Sequence, residues 1–181
     1  METGDLWVFG YGSLLWDPGF EHAETVVATL PGFHRSFCMR SIHHRGTEEN
    51  PGLVLALDAR PDALCHGLAF RVTPGHEAEA LAGLRARELI SSAYLEQRHP
   101  VDLADGRRVE AVVYVIDRLH AQYCGGLDLD EQARIIAGAT GQRGPNRDYL
   151  FNTARHLAEL GIEDGELTRL AEAVRALIAE Q

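Results

Sequence analysis

The most informative stretch of the sequence is Trp7-Val8-Phe9-Gly10-Tyr11-Gly12-Ser13-Leu14-Leu15-Trp16. It begins as an apolar, aromatic-rich strand and breaks at Gly10 and Gly12. Because glycine has no Cβ, such a strand end can bring backbone N–H groups close to a ligand, and the Ser13 hydroxyl adds a donor and an acceptor. The turn therefore suits a carboxylate, or a carbonyl oxygen that becomes an anion. The alternative is a plain hairpin or bulge whose glycines serve only the turn.

The same stretch does not match two familiar phosphate-binding loops. Leu15 stands where a dinucleotide-binding fingerprint has its third glycine, and no βαβ pattern follows it. The sequence also lacks the Gly-Lys-Ser/Thr of a P-loop. A nucleotide cofactor is therefore not expected, and we expect no other cofactor.

Composition predicts one globular domain over residues 1–181, a length that can bury enough surface to fold without disulfides or a metal. The formal net charge of −10 argues against nucleic acid or an anionic membrane as a partner, and no apolar run is long enough to span a bilayer. The acidic first residues lack the segments of a signal peptide. Three widely spaced cysteines, Cys38, Cys65 and Cys124, favour reduced thiols and a cytoplasmic location. The oligomeric state is left open.

The first half of the sequence predicts strands followed by a helix. Apolar and β-branched runs separated by turn residues predict five strands: Leu6–Gly10, Thr25–Leu30, Ser36–Ser41, Gly52–Asp58 and His66–Val72. Thr73 as a cap and Pro74 in the first turn then predict a helix, whose apolar positions continue to Leu89.

A hairpin and three helices are predicted for the rest. The pair Asp105-Gly106 predicts a hairpin between Tyr94–Val101 and Val109–Asp117. Helical spacing returns near residue 128, and the predicted helices start at Asp128, Asn146 and Asp164. This order predicts an α+β fold: a mostly antiparallel sheet or closed barrel, with the C-terminal helices of about residues 128–181 packed on it.

Glu88 is a candidate general base. It lies at the predicted C-terminal end of the first helix, near the negative end of the helix dipole, which tends to raise the pKa of a carboxyl group. Arg85 and Arg87 oppose this by favouring the charged carboxylate. The alternative is a solvated glutamate paired with Arg85 three residues earlier.

Two polar segments offer further candidate residues. In His43-His44-Arg45-Gly46-Thr47, the planar guanidinium of Arg45 can clamp a carboxylate, or the segment is a plain surface turn. The nearby Glu48 and Glu49 fix no ligand geometry in a loop, so no metal is expected. Between the last helices, Tyr149 or Asn146 can reach a pocket and bind substrate; otherwise Asn146 caps a helix and Tyr149 lies on its surface.

Taken together, these stretches resemble the ChaC-type γ-glutamylcyclotransferases over nearly the whole chain. Each match is weak alone, but their joint occurrence in this order is specific to the family. They comprise the Trp7–Trp16 stretch, Arg35-Ser36-Phe37-Cys38-Met39, the segment from His43 to Thr47, Pro51-Gly52-Leu53-Val54-Leu55, Gly67-Leu68-Ala69-Phe70-Arg71, Arg87-Glu88 with Tyr94, and Gly144-Pro145-Asn146 with Tyr149-Leu150.

The resemblance implies a small mixed or antiparallel β-barrel with flanking helices, and a reaction that needs no metal or cofactor. Glutathione would be converted to 5-oxoproline and cysteinylglycine, with Glu88 as the catalytic residue. The resemblance implies that Tyr11, Gly12, Ser13 and Leu14 hold the γ-glutamyl group. The further candidate substrate-binding residues are Phe9, Gly10, Arg45 and Tyr149. Two alternatives stay open: a cyclotransferase for other γ-glutamyl amines or amino acids, and a non-catalytic module that binds glutathione or a protein partner.

Overall fold

The computed structural model describes residues 5–89 and 93–180, which form an α+β fold. The described residues form twelve elements: β1 (Trp7–Gly10), a short 3₁₀ helix (Ser13–Leu15), β2 (His22–Ser41), β3 (Gly52–Val72), α1 (Glu77–Glu88), β4 (Tyr94–Leu103), β5 (Arg108–Ile116), α2 (Leu129–Gly138), β6 (Thr140–Gly141), β7 (Gly144–Pro145), α3 (Asn146–Glu159) and α4 (Gly165–Ala179). No helix within the described residues is both long enough and apolar enough to cross a membrane.

The five longer strands form a closed barrel in the order β1-β3-β2-β4-β5. β1 pairs antiparallel with β3, so that Phe9 lies opposite Ala69. Parallel pairing of β1 with β5 closes the barrel and makes it mixed, with Trp7 opposite Ala111. This topology confirms the α+β barrel expected from the sequence. All four residues of β1 are buried, so both faces of the strand are covered, which agrees with its continuous apolar sequence.

The prediction of separate strands around Pro31-Gly32 and around Arg60-Pro61-Asp62 is wrong, because β2 and β3 each continue through these residues. Gly32 has a φ of 84° and Asp62 has a φ of 66°. Glycine adopts such angles without strain, and aspartate tolerates them better than most residues do. These residues therefore redirect the strands without ending them.

The predicted hairpin is confirmed, whereas the predicted start of α1 is wrong. β4 and β5 pair antiparallel from Tyr94 opposite Ile116 to Asp102 opposite Arg108, and Gly106 in the turn has a φ of 96°. α1 begins at Glu77 because the residues before it form a separate turn, in which the His76 N–H donates to the Thr73 carbonyl at 2.9 Å.

The residues divide into two compact units, Met1–Arg35 with Leu57–His120 and Ser36–Ala56 with Ala121–Gln181. The core of the first unit includes Leu6, Val8, Leu14, Val72, Ala80, Leu84, Val112 and Tyr114. In the second unit the three C-terminal helices bury Ile136, Leu150, Leu157, Leu170 and Val174. One domain over residues 1–181 stays a prediction.

Two of the three predicted helix caps are confirmed. The Asp128 carboxylate accepts from the Glu131 N–H at 2.8 Å, and the Asp164 carboxylate accepts from the Leu167 N–H at 3.1 Å. Each cap satisfies a backbone donor that would otherwise lack a partner in the first turn. Asn146 is the exception: it is the first residue of α3, and its side chain makes no cap bond.

Candidate active site

The glycine-broken end of β1 leads into a tight turn. The Leu15 N–H donates to the Gly12 carbonyl at 2.8 Å, and the Asp17 N–H donates to the Ser13 carbonyl at 2.9 Å. By contrast, the N–H groups of Gly12, Ser13 and Leu14 have no acceptor within residues 5–89 and 93–180. Adjacent N–H groups without acceptors can bind an anion. A methyl group at Gly10 would lie 3.1 Å from the Leu14 Cβ, so the turn folds tightly on the strand end.

The predicted binding residues of this turn can act mainly through their backbone. The Phe9 side chain is 0% exposed, and the side chains of Tyr11 and Leu14 are also buried. Ser13 is the partly exposed member, and its hydroxyl accepts a hydrogen bond from the Arg87 Nη2 at 2.8 Å.

Arg35 supports the turn from within the core, a role that the sequence analysis missed. Its buried guanidinium donates from Nε to the Tyr11 carbonyl at 3.0 Å, and it also donates from Nη2 to the His66 carbonyl. A guanidinium is costly to bury without such bonds. The available signal was an arginine with a phenylalanine two positions away on either side, Phe33 and Phe37.

Glu88 is the last residue of α1, as predicted, and its side chain is only 17% exposed. Burial raises the pKa of this carboxyl, because water stabilises a carboxylate better than the protein interior does; the charge of Arg87 opposes the shift. The predicted alternative of a solvated ion pair with Arg85 does not occur. Arg85 instead makes two hydrogen bonds to Glu96 of β4, at 3.0 and 2.9 Å.

One guanidinium, that of Arg87, contacts both the turn and the candidate base. Its Nη2 donates to the Ser13 hydroxyl at 2.8 Å, and its Nη1 donates to the Asp17 carbonyl at 2.7 Å. Its Nε lies 3.5 Å from the Glu88 Oε1. The fold therefore brings the N-terminal turn and the end of α1 together, although 74 residues separate Ser13 from Arg87.

Arg45 and Tyr149 lie together in the second unit. Arg45 donates from Nη1 to the carbonyls of Arg143 and Pro145, at 3.1 and 3.2 Å, and its guanidinium lies 5.7 Å from the centre of the Tyr149 ring. The Tyr149 hydroxyl accepts from the Leu55 N–H at 3.2 Å. Tyr149 is half-buried, so the alternative that placed it on the helix surface is wrong.

The segment around His43 is tied into the fold. The N–H groups of Gln142 and Arg143 donate to the carbonyls of His43 and His44, at 2.8 and 2.9 Å. Burial lowers the pKa of the His44 imidazole, with the Arg143 charge adding to the effect. Gly141 is required at this contact, because a Cβ there would overlap the backbone of Gly46 and His44. The backbone of the segment is therefore packed against residues 141–143, while the side chains of His43, His44 and Thr47 stay exposed, as in a surface turn.

Comparison with known proteins shows one consistent family. The model of the family described as "ChaC-like protein" matches residues 6–177. The glutathione-specific γ-glutamylcyclotransferase of Escherichia coli K12 is 38% identical over 179 residues, which cover 99% of this chain and 77% of that protein. The Schizosaccharomyces pombe protein of the same name is 34% identical over 91% of this chain and 88% of its own. A crystal structure of the glutathione-specific enzyme from yeast superposes with a TM-score of 0.86 at 25% identity, covering 98% of this chain and 99% of that one.

Proposed function

Since the chain belongs to the ChaC-like protein family, we propose that it is a lyase that cleaves the γ-glutamyl bond of glutathione. The products are 5-oxoproline and cysteinylglycine. The observation that carries the proposal is the position of Glu88: a poorly solvated carboxylate, linked through Arg87 to a turn in which three backbone N–H groups have no acceptor among the described residues. These are the two features that the reaction requires, a base and an anion-binding site.

The reaction is an intramolecular substitution. The α-amine of the γ-glutamyl group attacks the δ-carbonyl carbon, a C–N bond forms to close a five-membered ring, and the C–N bond to cysteine breaks. No water is consumed, and the leaving nitrogen becomes the amine of cysteinylglycine. Because nucleophile and electrophile belong to one molecule, holding the glutamyl chain in a folded conformation removes much of the barrier.

Glu88 moves the proton in this scheme. The amine is mostly an ammonium ion at neutral pH, so it must lose a proton before it can attack. The Glu88 carboxylate accepts that proton and returns it to the departing nitrogen. Burial raises the pKa of Glu88, which makes it a stronger base than a solvated glutamate and brings its pKa closer to that of the amine.

The remaining predicted residues bind the substrate in this proposal. The strand end and turn, Phe9, Gly10, Tyr11, Gly12, Ser13 and Leu14, hold the γ-glutamyl group with backbone N–H groups on its α-carboxylate or on the oxyanion. Arg45 and Tyr149 are the other two proposed substrate-binding residues. In support, the Nε and Nη2 of Arg45 have no acceptor in the part of the chain that the structure describes, and such a pair of donors suits a carboxylate.

Product analysis tests the proposal. We expect the purified protein to release 5-oxoproline and cysteinylglycine from glutathione at equal rates, with no added metal and with EDTA present. In ¹⁸O-labelled water the 5-oxoproline stays unlabelled, because cyclisation consumes no water. Labelled glutamate as the product would show hydrolysis and contradict the mechanism, and glutathione binding in calorimetry without any product would indicate a non-catalytic module.

A substrate panel tests the leaving group. Comparison of glutathione with γ-glutamyl-alanine and γ-glutamyl-lysine separates a glutathione-specific enzyme from a broader cyclotransferase. We expect the highest kcat/KM with glutathione. Equal or higher values with either other substrate would favour the broader activity.

Arg87→Met is expected to lower kcat/KM for glutathione by about tenfold, because the two hydrogen bonds from α1 to the turn are lost. Arg87→Lys should keep the charge beside Glu88 but cannot make both bonds in the same geometry. Its kcat/KM should therefore lie between those of the wild type and of Arg87→Met. Steady-state kinetics measure the effect. Arg134→Met, at an exposed arginine of α2, is the control; an Arg87→Met variant as active as this control would remove Arg87 from the site.

A cytoplasmic location is part of the proposal. Its support is that Cys38, Cys65 and Cys124 form no disulfide among the described residues, as expected for a protein of a reducing compartment.

A further inference from the structure

The carboxylate of Glu96 lies between two groups of the first unit. It accepts two hydrogen bonds from the Arg85 guanidinium, at 3.0 and 2.9 Å, and one from the Tyr114 hydroxyl at 2.8 Å. Glu96 and Tyr114 are directly opposite each other on β4 and β5. Hydrogen bonds from Arg85, and less strongly from Tyr114, lower the pKa of Glu96, so this carboxyl stays ionised. Tyr114 stays neutral, because burial and Glu96 raise its pKa.

Without Glu96, the natural partner of Arg85 would be Glu88. The two residues are three positions apart on α1, a spacing at which side chains of a helix are neighbours. Arg85 nevertheless makes its bonds to Glu96 on β4, whereas the Arg87 Nε lies 3.5 Å from the Glu88 Oε1. Glu88 is therefore poorly solvated, and among the described residues no arginine binds its carboxylate with two hydrogen bonds.

We propose that Glu96 and Tyr114 are positioning residues for the Glu88 base, and that they act by holding Arg85 on β4 and neutralising it there. The proposal rests on the proposed function of Glu88. Neither residue need touch substrate: Glu96 provides the carboxylate that occupies Arg85, and Tyr114 orients that carboxylate from the neighbouring strand. A bidentate arginine on Glu88 would stabilise the carboxylate and weaken it as a base.

The charged and titratable groups around Glu88 come from three elements. Arg85 and Arg87 lie on α1, and Tyr114 on β5 interacts with Glu88 electrostatically. Glu96 on β4 faces Arg85, and Arg98 on the same strand adds a positive charge that acts on Glu96. Removal of the Glu96 charge therefore leaves Arg85 and Arg98 without one of their counter-charges, and the net potential at Glu88 becomes more positive.

The test combines Glu96→Gln with Arg85→Met. Glu96→Gln frees Arg85 to bind Glu88. In the pH profile of kcat/KM for glutathione, we therefore expect the acid limb, where activity falls at low pH, to move by about one unit to lower pH. The plateau value of kcat/KM should fall several-fold. Arg85→Met/Glu96→Gln removes both charges and should return the limb and most of the plateau to wild-type values. If Glu96 only stabilised the fold, the additional Arg85→Met substitution would not restore the pH profile.

Asp102→Asn is the matched control. Asp102 also lies on β4 and also accepts two hydrogen bonds from an arginine, Arg108 at 2.7 and 3.3 Å, at the turn end of the same hairpin. Its loss should leave the acid limb in place. Equal shifts in Asp102→Asn and Glu96→Gln would overturn the proposal, as would an unrescued double variant.

Carbon NMR titration of the Glu88 carboxyl separates this proposal from the proposed function. We expect its midpoint to fall in Glu96→Gln and to recover in the double variant, whether or not the protein turns over glutathione. An unchanged midpoint in an active enzyme would contradict only the role of Glu96. If the midpoint falls in Glu96→Gln although the wild-type protein does not act on glutathione, only the proposed function is contradicted.

Discussion

Glu88→Gln is expected to reduce 5-oxoproline release from glutathione by about a thousandfold, the size of effect that loss of a general base typically produces. The amide has nearly the same shape as the carboxylate but cannot accept the proton of the ammonium group. Binding should change little, because the backbone donors of the turn stay in place. The measurement is kcat and KM for glutathione in both proteins.

The fold of Glu88→Gln should be retained. Because burial raises the pKa of Glu88, the folded protein binds its proton more tightly than the unfolded chain does, and the charged form costs stability once the pH exceeds the unfolded value. A neutral amide removes that cost, so thermal unfolding at neutral pH should occur at the same temperature or slightly higher. Lower stability would instead indicate a structural role.

Glu159→Gln is the control for this substitution. Glu159 is the last residue of α3, as Glu88 is of α1, but its side chain is exposed and lies 3.9 Å from Arg155. Its amide variant should have wild-type kinetics. Full activity in Glu88→Gln would remove this residue from the mechanism, whatever the control shows.

Asn146→Ala is expected to lower the free energy of unfolding by about 3 kcal/mol. The Asn146 side chain is fully buried, its Oδ1 accepts from the Leu53 N–H, and its Nδ2 donates to the Leu53 carbonyl, both at 2.8 Å. Alanine leaves two buried backbone groups without partners and opens a cavity. Urea unfolding measures the loss.

Asn152→Ala provides the comparison for that measurement. Asn152 is exposed on the same helix, so its substitution should change the free energy of unfolding by less than about 0.5 kcal/mol. If the two variants lose the same stability, the paired bonds to Leu53 do not contribute as described.

Elements set by local sequence could be predicted. Gly10 and Gly12 break the first strand where the sequence indicates, and Glu88 ends α1. Asp128 and Asp164 cap their helices because a cap needs only a side chain and a backbone N–H three residues away.

Features that depend on distant contacts could not be predicted. Arg85 had two possible acidic partners, and only the position of β4 against α1 decides for Glu96 over Glu88. Asn146 fits a cap in sequence, yet the folded chain places it against Leu53, 93 residues away. The breaks expected at Pro31 and Pro61 do not end β2 and β3, since pairing with neighbouring strands outweighs local preference.

In the proposed mechanism, protonation of the Glu88 carboxyl limits the reaction at low pH. The most direct measurement compares its NMR titration with the acid limb of kcat/KM for glutathione. We predict one shared midpoint, above the ordinary glutamate value of 4.5, and no such limb in the residual activity of Glu88→Gln. A Glu88 carboxyl that titrates at or below that value, while the rate depends on a different ionisation, would contradict the account.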